Sequence, residues 1–187
     1  PISTDYGDSV AFLGEFGAYA GEASLALADL VIAHHQARLK GRANRITIDL
    51  DPTDDPTHGQ QELTFFNGHY DTWCYLPLVA TLTFNAEPTQ YLVAAVLRPG
   101  NSPAKRGALG LLTRLLQRLR AAFPGVILRV RLDGGFASPE VLDFLEGEAV
   151  EYVVAMASNA RLVKRVRRLM GRARMRSKAS GETAALF

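Results

Sequence analysis

The sequence predicts a mixed α/β domain: a three-stranded antiparallel meander followed by helix, strand, helix and strand, with an N-terminal helix before it and a basic segment after it. Three observations lead there. Short β-branched runs alternate apolar and polar residues with a period of two, which marks half-buried strands. Longer runs repeat their leucines at helical spacing between Gly and Pro stops. At 187 residues, 48% apolar and 21% charged, the chain is long enough to bury a core and ordinary enough to fold as one globular domain.

In chain order, residues 1–20 are Gly-, Ser- and Ala-rich without periodicity and read as a lead-in. From Ala20 to Lys40, Leu25, Leu27, Leu30, Val31, Ala33 and Leu39 fall mostly on one helical face, with Gly41 as the stop. Arg45 to Asp51 is a strand ending at Pro52, with Ile46, Ile48 and Leu50 on one face and Thr47, Asp49 and Asp51 on the other. Residues 52–69 have loop composition. Thr72–Phe84 and Tyr91–Arg98 read as two extended segments joined by a hairpin at 85–90. Ser102 and Pro103 are placed to cap and open a helix reaching Phe123, with Leu109, Leu112, Leu115, Leu116 and Leu119 inside. Val126–Asp133 is a strand, Ser138-Pro139-Glu140 starts a helix carrying Val141, Leu142 and Leu145, and Glu151–Met156 closes the series as a short buried strand. The organisation is therefore a lead-in and helix over 1–44, a core over 45–160 and a basic segment over 161–187.

Charge separates these regions. Residues 161–187 hold nine Lys and Arg against one acid, Glu182, whereas residues 1–160 hold twelve basic and eighteen acidic residues. A basic segment on an acidic body points to a polyanion such as nucleic acid, because each cation near a phosphate releases condensed counterions. Lys164, Arg165, Arg167, Arg168 and Arg172 are its densest part, and Arg98, Lys105 and Arg106 bracket a turn that could hold phosphates as well. No run of about 20 apolar residues suits a membrane span, and no leader pattern opens the chain, so the expected location is cytoplasmic. The lone Cys74 forms no internal disulfide and is expected in the core. His34, His35, His58 and His69 lack zinc-ligand spacing and read as loop or surface imidazoles; Trp73, Tyr70 and Tyr75 read as strand packing.

Two strands end in a carboxylate followed by a backbone breaker: Asp51 before Pro52, and Asp133 before Gly134-Gly135. A single such aspartate is read as a turn-former. If the strands are neighbours, however, the two converge as a pair able to share Mg²⁺ or Mn²⁺, the hard cations that oxygen ligands select. Asp49, two residues earlier on the same face, competes for the first position, and Asp54 and Asp55 read as loop acids.

Asp49-Leu50-Asp51-Pro52-Thr53-Asp54-Asp55-Pro56-Thr57-His58-Gly59, Phe66-Asn67-Gly68-His69-Tyr70, Tyr75-Leu76-Pro77-Leu78, Leu97-Arg98-Pro99-Gly100-Asn101, Arg131-Leu132-Asp133-Gly134-Gly135-Phe136 and Tyr152-Val153-Val154 resemble, in order over about 45–160, the landmarks of a DDE transposase from a bacterial insertion sequence. The resemblance implies an RNase H-like fold, Mg²⁺ or Mn²⁺ as cofactor, strand cleavage and strand transfer on double-stranded DNA at element ends and target, a homodimer in the active complex, and a location at the bacterial nucleoid. It selects Asp51, with Thr two residues on, as the first catalytic aspartate and Asp133, before Gly-Phe, as the second, with Asp49 as a further metal candidate. The family's third acid, a helical Glu beside Tyr, Arg and Lys, has no counterpart, since Glu182 lacks that surrounding pattern. The chain therefore reads as the N-terminal part of a catalytic domain, with a catalytically incomplete DNA-binding or oligomerising remnant as the alternative and a stand-alone RNase H-like nuclease as a third.

Overall fold

The computed structural model describes residues 25–156 and 159–184, and the chain divides into two compact units, one ending at Ala155 and the other beginning at Met156. The lead-in over 1–20 and the first residues of the expected helix lie outside the described residues. Helix α1 runs over residues 25–39. It is followed by β1 (Arg45–Pro52), β2 (Asp55–Pro56), β3 (Phe65–Asn67), β4 (Thr72–Tyr75), β5 (Leu78–Phe84) and β6 (Tyr91–Val96), then α2 (Ala108–Ala122), β7 (Ile127–Leu132), α3 (Pro139–Gly147) and β8 (Glu151–Val154).

The main sheet has the order β6-β5-β1-β7-β8. Its first three strands pair antiparallel, and β7 runs parallel to both β1 and β8. This is the meander followed by helix–strand–helix–strand that the sequence predicts, and it is the order and sense of an RNase H-like sheet. Alternation decides which face is buried. Ile46, Ile48 and Leu50 of β1, Leu78, Ala80, Leu82 and Phe84 of β5, and Leu128, Val130 and Leu132 of β7 join residues of all three helices in one apolar cluster. Burying each large aliphatic side chain there contributes about 1.5–3 kcal/mol. Thr47, Asp49 and Asp51 turn to the opposite face.

Several details differ from expectation. The loop over 52–69 contains β2 and β3, which pair with β4 as a separate three-stranded sheet. The extended run Thr72–Phe84 is consequently two strands in two sheets, broken at Leu76-Pro77, where Pro77 has no N–H to donate and the Leu76 amide donates instead to the Arg98 carbonyl at 2.9 Å. Helix α2 starts five residues later than Ser102-Pro103 suggests: its N-cap is Gly107, in the left-handed region at φ 78°. The reason is Arg98, whose Nη1 donates to the carbonyls of Pro103, Ala104 and Arg106 and so occupies acceptors that an earlier helix would need for its own ladder. Within α2, Leu111 is buried, and Leu109 only packs against the core from its margin. Strand β8 is largely exposed rather than buried, because among the described residues it is an edge strand paired with β7 alone.

His35 is also not at the surface. It is 2% exposed, lies flat on Phe84 with centroids 4.1 Å apart, and donates from Nδ1 to the Val31 carbonyl at 2.8 Å. Burial lowers its pKa below the usual imidazole value. Cys74 is fully buried, as expected.

In the second unit, α4 spans Ala160–Ser180, capped by the Asn159 side chain, which accepts from the Leu162 amide, and closed by Gly181 at φ 73°. Among the described residues no helix is long and apolar enough to cross a membrane.

Candidate functional site

The site grows from the register of two central strands. In the parallel ladder Asp49 lies opposite Arg131 and Leu50 opposite Leu132, so the next residues come side by side at the carboxyl edge of these two strands: Asp51, still paired with Val79 of β5, and Asp133, just past the end of β7. A cleft of about 580 Å³ opens there, lined among others by Asp49, Asp51, Thr53, Thr81, Arg131 and Asp133. Both predicted catalytic aspartates are therefore in one place.

Each is held by its local backbone. Asp133 follows the last residue of β7 and caps a short 3₁₀ turn over Gly134–Phe136, its Oδ1 accepting from the Gly135 amide at 2.9 Å. Phe136, fully buried, anchors the turn. The backbone after Asp51 is clamped twice: the Tyr70 hydroxyl donates to the Pro52 carbonyl at 3.2 Å, and the Thr53 amide donates to the Pro77 carbonyl at 3.0 Å.

Electrostatics separates the three carboxylates. Asp49 faces a two-pronged donation from Arg131, by Nε to Oδ1 and by Nη2 to Oδ2 at 3.0 Å, and this pairing raises the Arg131 pKa. Among the described residues neither Asp51 nor Asp133 forms an ion pair. Burial first, then the negative charges of Asp133 and Asp49, push the Asp51 carboxyl above the usual carboxylate range. Burial first, then the charges of Asp51, Asp54 and Asp133, raise the Tyr70 phenol. Asp51 and Asp133 thus form a strained like-charge pair of oxygen donors, the environment that a divalent cation relieves, whereas Asp49 already has its counter-charge. The donor set suits a hard cation. Among the described residues no group of three or more His, Cys, Asp or Glu side chains is arranged to hold a metal, so the site offers two protein carboxylates and leaves the other coordination positions open.

Arg131 was not anticipated, although the signal was there: it precedes Asp133 by the same two residues that separate Asp49 from Asp51, so a parallel register aligning one pair aligns the other. Of the cations expected to hold phosphates, Arg98 is taken off the surface. It is 5% exposed, and its Nε and Nη1 donate to main-chain carbonyls. Lys105 and Arg106 are exposed, Lys105 pairing with Glu140 at 2.8 Å. Lys164, Arg165, Arg167, Arg168 and Arg172 all lie on α4, no residue of which is buried. Trp73 is exposed rather than packed within a strand layer.

Residues 15–186 match the family described as Transposase DDE domain group 1. Among curated proteins no sequence matches. Solved structures with similarity include the catalytic domain of Mos1 mariner transposase, at 13% identity and TM-score 0.37 over 83% of this chain and 71% of that one. A pre-cleavage Mos1 transpososome matches at 13% identity and TM-score 0.36 over 73% of this chain and 44% of that one. The Mos1 paired end complex with Mn matches at 12% identity and TM-score 0.35 over 72% and 42% respectively. The chain thus spans less than half the length of the transposase chains in those two complexes.

Proposed function

The chain belongs to the Transposase DDE domain group 1 family, and on that premise we propose that it is the carboxylate-bearing part of a DNA transposase acting by metal-dependent strand cleavage and strand transfer. The observation that carries the reading is the meeting of Asp51 and Asp133 at the ends of adjacent parallel strands, with neither in an ion pair among the described residues and with the Asp51 carboxyl pushed up by burial and then by Asp133 and Asp49. A Mg²⁺ or Mn²⁺ ion held there would supply charge stabilisation to the attacking and leaving oxygens of a phosphodiester. The chain's own residues do the rest. Asp51 and Asp133 would hold the cation, the Gly135 amide fixes one oxygen of Asp133, and Arg131 neutralises Asp49 so that it adds less to the repulsion. Double-stranded DNA is held electrostatically by α4, with Lys105 and Arg106 as further phosphate contacts, and the working form is a homodimer on the element ends.

Titration with Mn²⁺, followed by the electron paramagnetic resonance of the free ion, tests the centre. Wild type binds weakly, since two carboxylates leave much of the shell to water, and Asp133→Asn abolishes binding; identical curves overturn the assignment. DNA affinity of the chain and of a form lacking residues 161–178 tests the interface. The deletion flattens the slope of log affinity against log salt, and an unchanged slope removes α4 from the DNA.

One observation favours the second reading, a DNA-binding or oligomerising remnant without nuclease activity: among the described residues no third acid joins the pair, and Glu182 is an exposed residue just past the Gly181 cap of α4. A nicking assay separates the two. Mg²⁺-dependent nicking that appears only when a downstream Glu-bearing segment is supplied supports the transposase, and DNA binding with no nicking under either condition supports the remnant.

A further inference from the structure

Arg98 is a buried cation whose cost needs a reason. A guanidinium out of water is unfavourable unless its charge and donors are met. Among the described residues Arg98 has no carboxylate partner, and its Nη2 has no partner at all. What it does have is a fork aimed in two directions. Its Nε donates to the Leu76 carbonyl at 2.8 Å. Its Nη1 donates to the carbonyls of Ala104 at 2.9 Å and Arg106 at 3.0 Å, and more weakly to that of Pro103. A planar guanidinium can serve both groups at once, which a single ammonium cannot.

Each direction leads to one carboxylate. Leu76 precedes Pro77, whose carbonyl receives the Thr53 amide, two residues past Asp51. Ala104 lies against the turn after Asp133 so closely that a Cβ on Gly135 would come within 2.9 Å of the Ala104 Cβ and 3.2 Å of Asp133 Oδ1. The Gly135 amide is the group that holds that oxygen. The 98–106 loop is fastened further by Lys105 to Glu140 in the first turn of α3, and by Gly100, where a Cβ would lie 2.7 Å from the Phe65 carbonyl.

We propose that Arg98 is a positioning residue for the carboxylate pair: by tying the backbone that follows Asp51 to the loop that backs the Asp133 turn, it sets the geometry in which the two carboxylates meet a cation. This rests on the reading of Asp51 and Asp133 as a metal pair. Arg98 touches neither carboxylate and acts through Pro77 on one side and Ala104–Gly135 on the other. Residues of this kind, which orient ligands without being ligands, alter metal affinity by about 10- to 100-fold when replaced.

The test uses Mn²⁺ affinity of the full 187-residue chain, measured well below the melting temperature of each variant. Arg98→Lys keeps the charge but not the fork, and is expected to weaken Mn²⁺ binding about tenfold. Leu119→Ala, in the core at the far end of α2, lowers the melting temperature without moving the affinity, which separates positioning from general destabilisation. A second arm holds even if Arg98→Lys fails to fold. Gly135→Ala weakens Mn²⁺ binding, and adding Ala104→Gly, which removes the opposing Cβ, restores most of it. Affinity of Arg98→Lys within twofold of wild type, or a Gly135→Ala defect that Ala104→Gly leaves untouched, overturns the proposal. Wild-type binding no different from Asp133→Asn removes the metal pair itself, and with it any role for Arg98 in placing it.

Discussion

The two faces of β1 are built from alternate residues of one strand and obey different rules. On one face Ile46, Ile48 and Leu50 are at most 2% exposed and sit in the common core. On the other, Asp49 and Asp51 line a cleft with Arg131 and Asp133. The first face gains stability by excluding water; the second keeps a like-charge pair in which one member is pushed above its ordinary pKa. A period of two thus lets one eight-residue strand anchor the fold and carry the chemistry, with Leu50 bordering both the core and the cleft.

Crossing the faces by mutation gives the largest expected effects. Asp51→Asn abolishes Mn²⁺ binding while leaving the metal-free protein at least as stable as wild type, because a carboxylate disfavoured by burial and by Asp133 has been removed. Ile48→Ala does the reverse: it costs about 2–5 kcal/mol, read from the denaturant midpoint, and leaves Mn²⁺ affinity unchanged in the folded protein. If the two variants shift both quantities together, the faces are not independent. A smaller effect is expected at Arg131. Arg131→Gln leaves Asp49 without its counter-charge beside Asp51, so the Asp51 carboxyl rises further, and Mn²⁺ affinity moves by less than about tenfold, well short of the loss of a direct ligand. Abolition of binding by Arg131→Gln would mean that the Asp49 pair is part of the centre itself.

The smallest effect tests the covered face by pH. His35 is neutral in the fold, with Nδ1–H on the Val31 carbonyl and Nε2 unpartnered. Its pKa is lowered first by burial, and next by Arg38 and His34, against raising contributions from the Val31 hydrogen bond and Glu87. The unfolded chain therefore takes up the proton first. Stability is intact above the ordinary imidazole value of about 6.5 and declines as pH falls below it toward the lowered native value. Equilibrium unfolding of wild type and His35→Phe across that range checks this; the variant loses the decline.

Much of this was legible in the residues. The alternation around Ile48 located β1 and its two faces, and carboxylates before Pro52 and Gly134 marked both strand ends. What escaped depended on partners far away in sequence. Arg98 read as a surface cation because charge normally stays in water, and the carbonyls of Leu76, Pro103, Ala104 and Arg106 are what meet it in the interior. The same residue hid the true start of α2, since Ser102-Pro103 is a proper opening that tertiary hydrogen bonds override. Thr72–Phe84 is extended on either side of Pro77, and the proline marks a break without telling that the halves belong to different sheets. Leu109 and Leu111 both fit a helical stripe, and which faces inward depends on where the helix begins.

The register that makes the site has a kinetic side. Asp49 and Arg131 are 82 residues apart in sequence, and the meander and α2 lie between them. Bringing β7 alongside β1 closes that whole stretch of chain, an entropic cost that grows with its length and makes such parallel pairings late and slow. A chain emerging from the ribosome can complete the meander, with Asp51 already at its edge, before Asp133 has been synthesised. Until β7 docks, the nascent protein carries Asp51 without Asp133, and Asp49 without the Arg131 that neutralises it. The capacity to hold a cation is therefore a late event in folding, and during synthesis the unpaired edge of β1 is the surface most in need of protection.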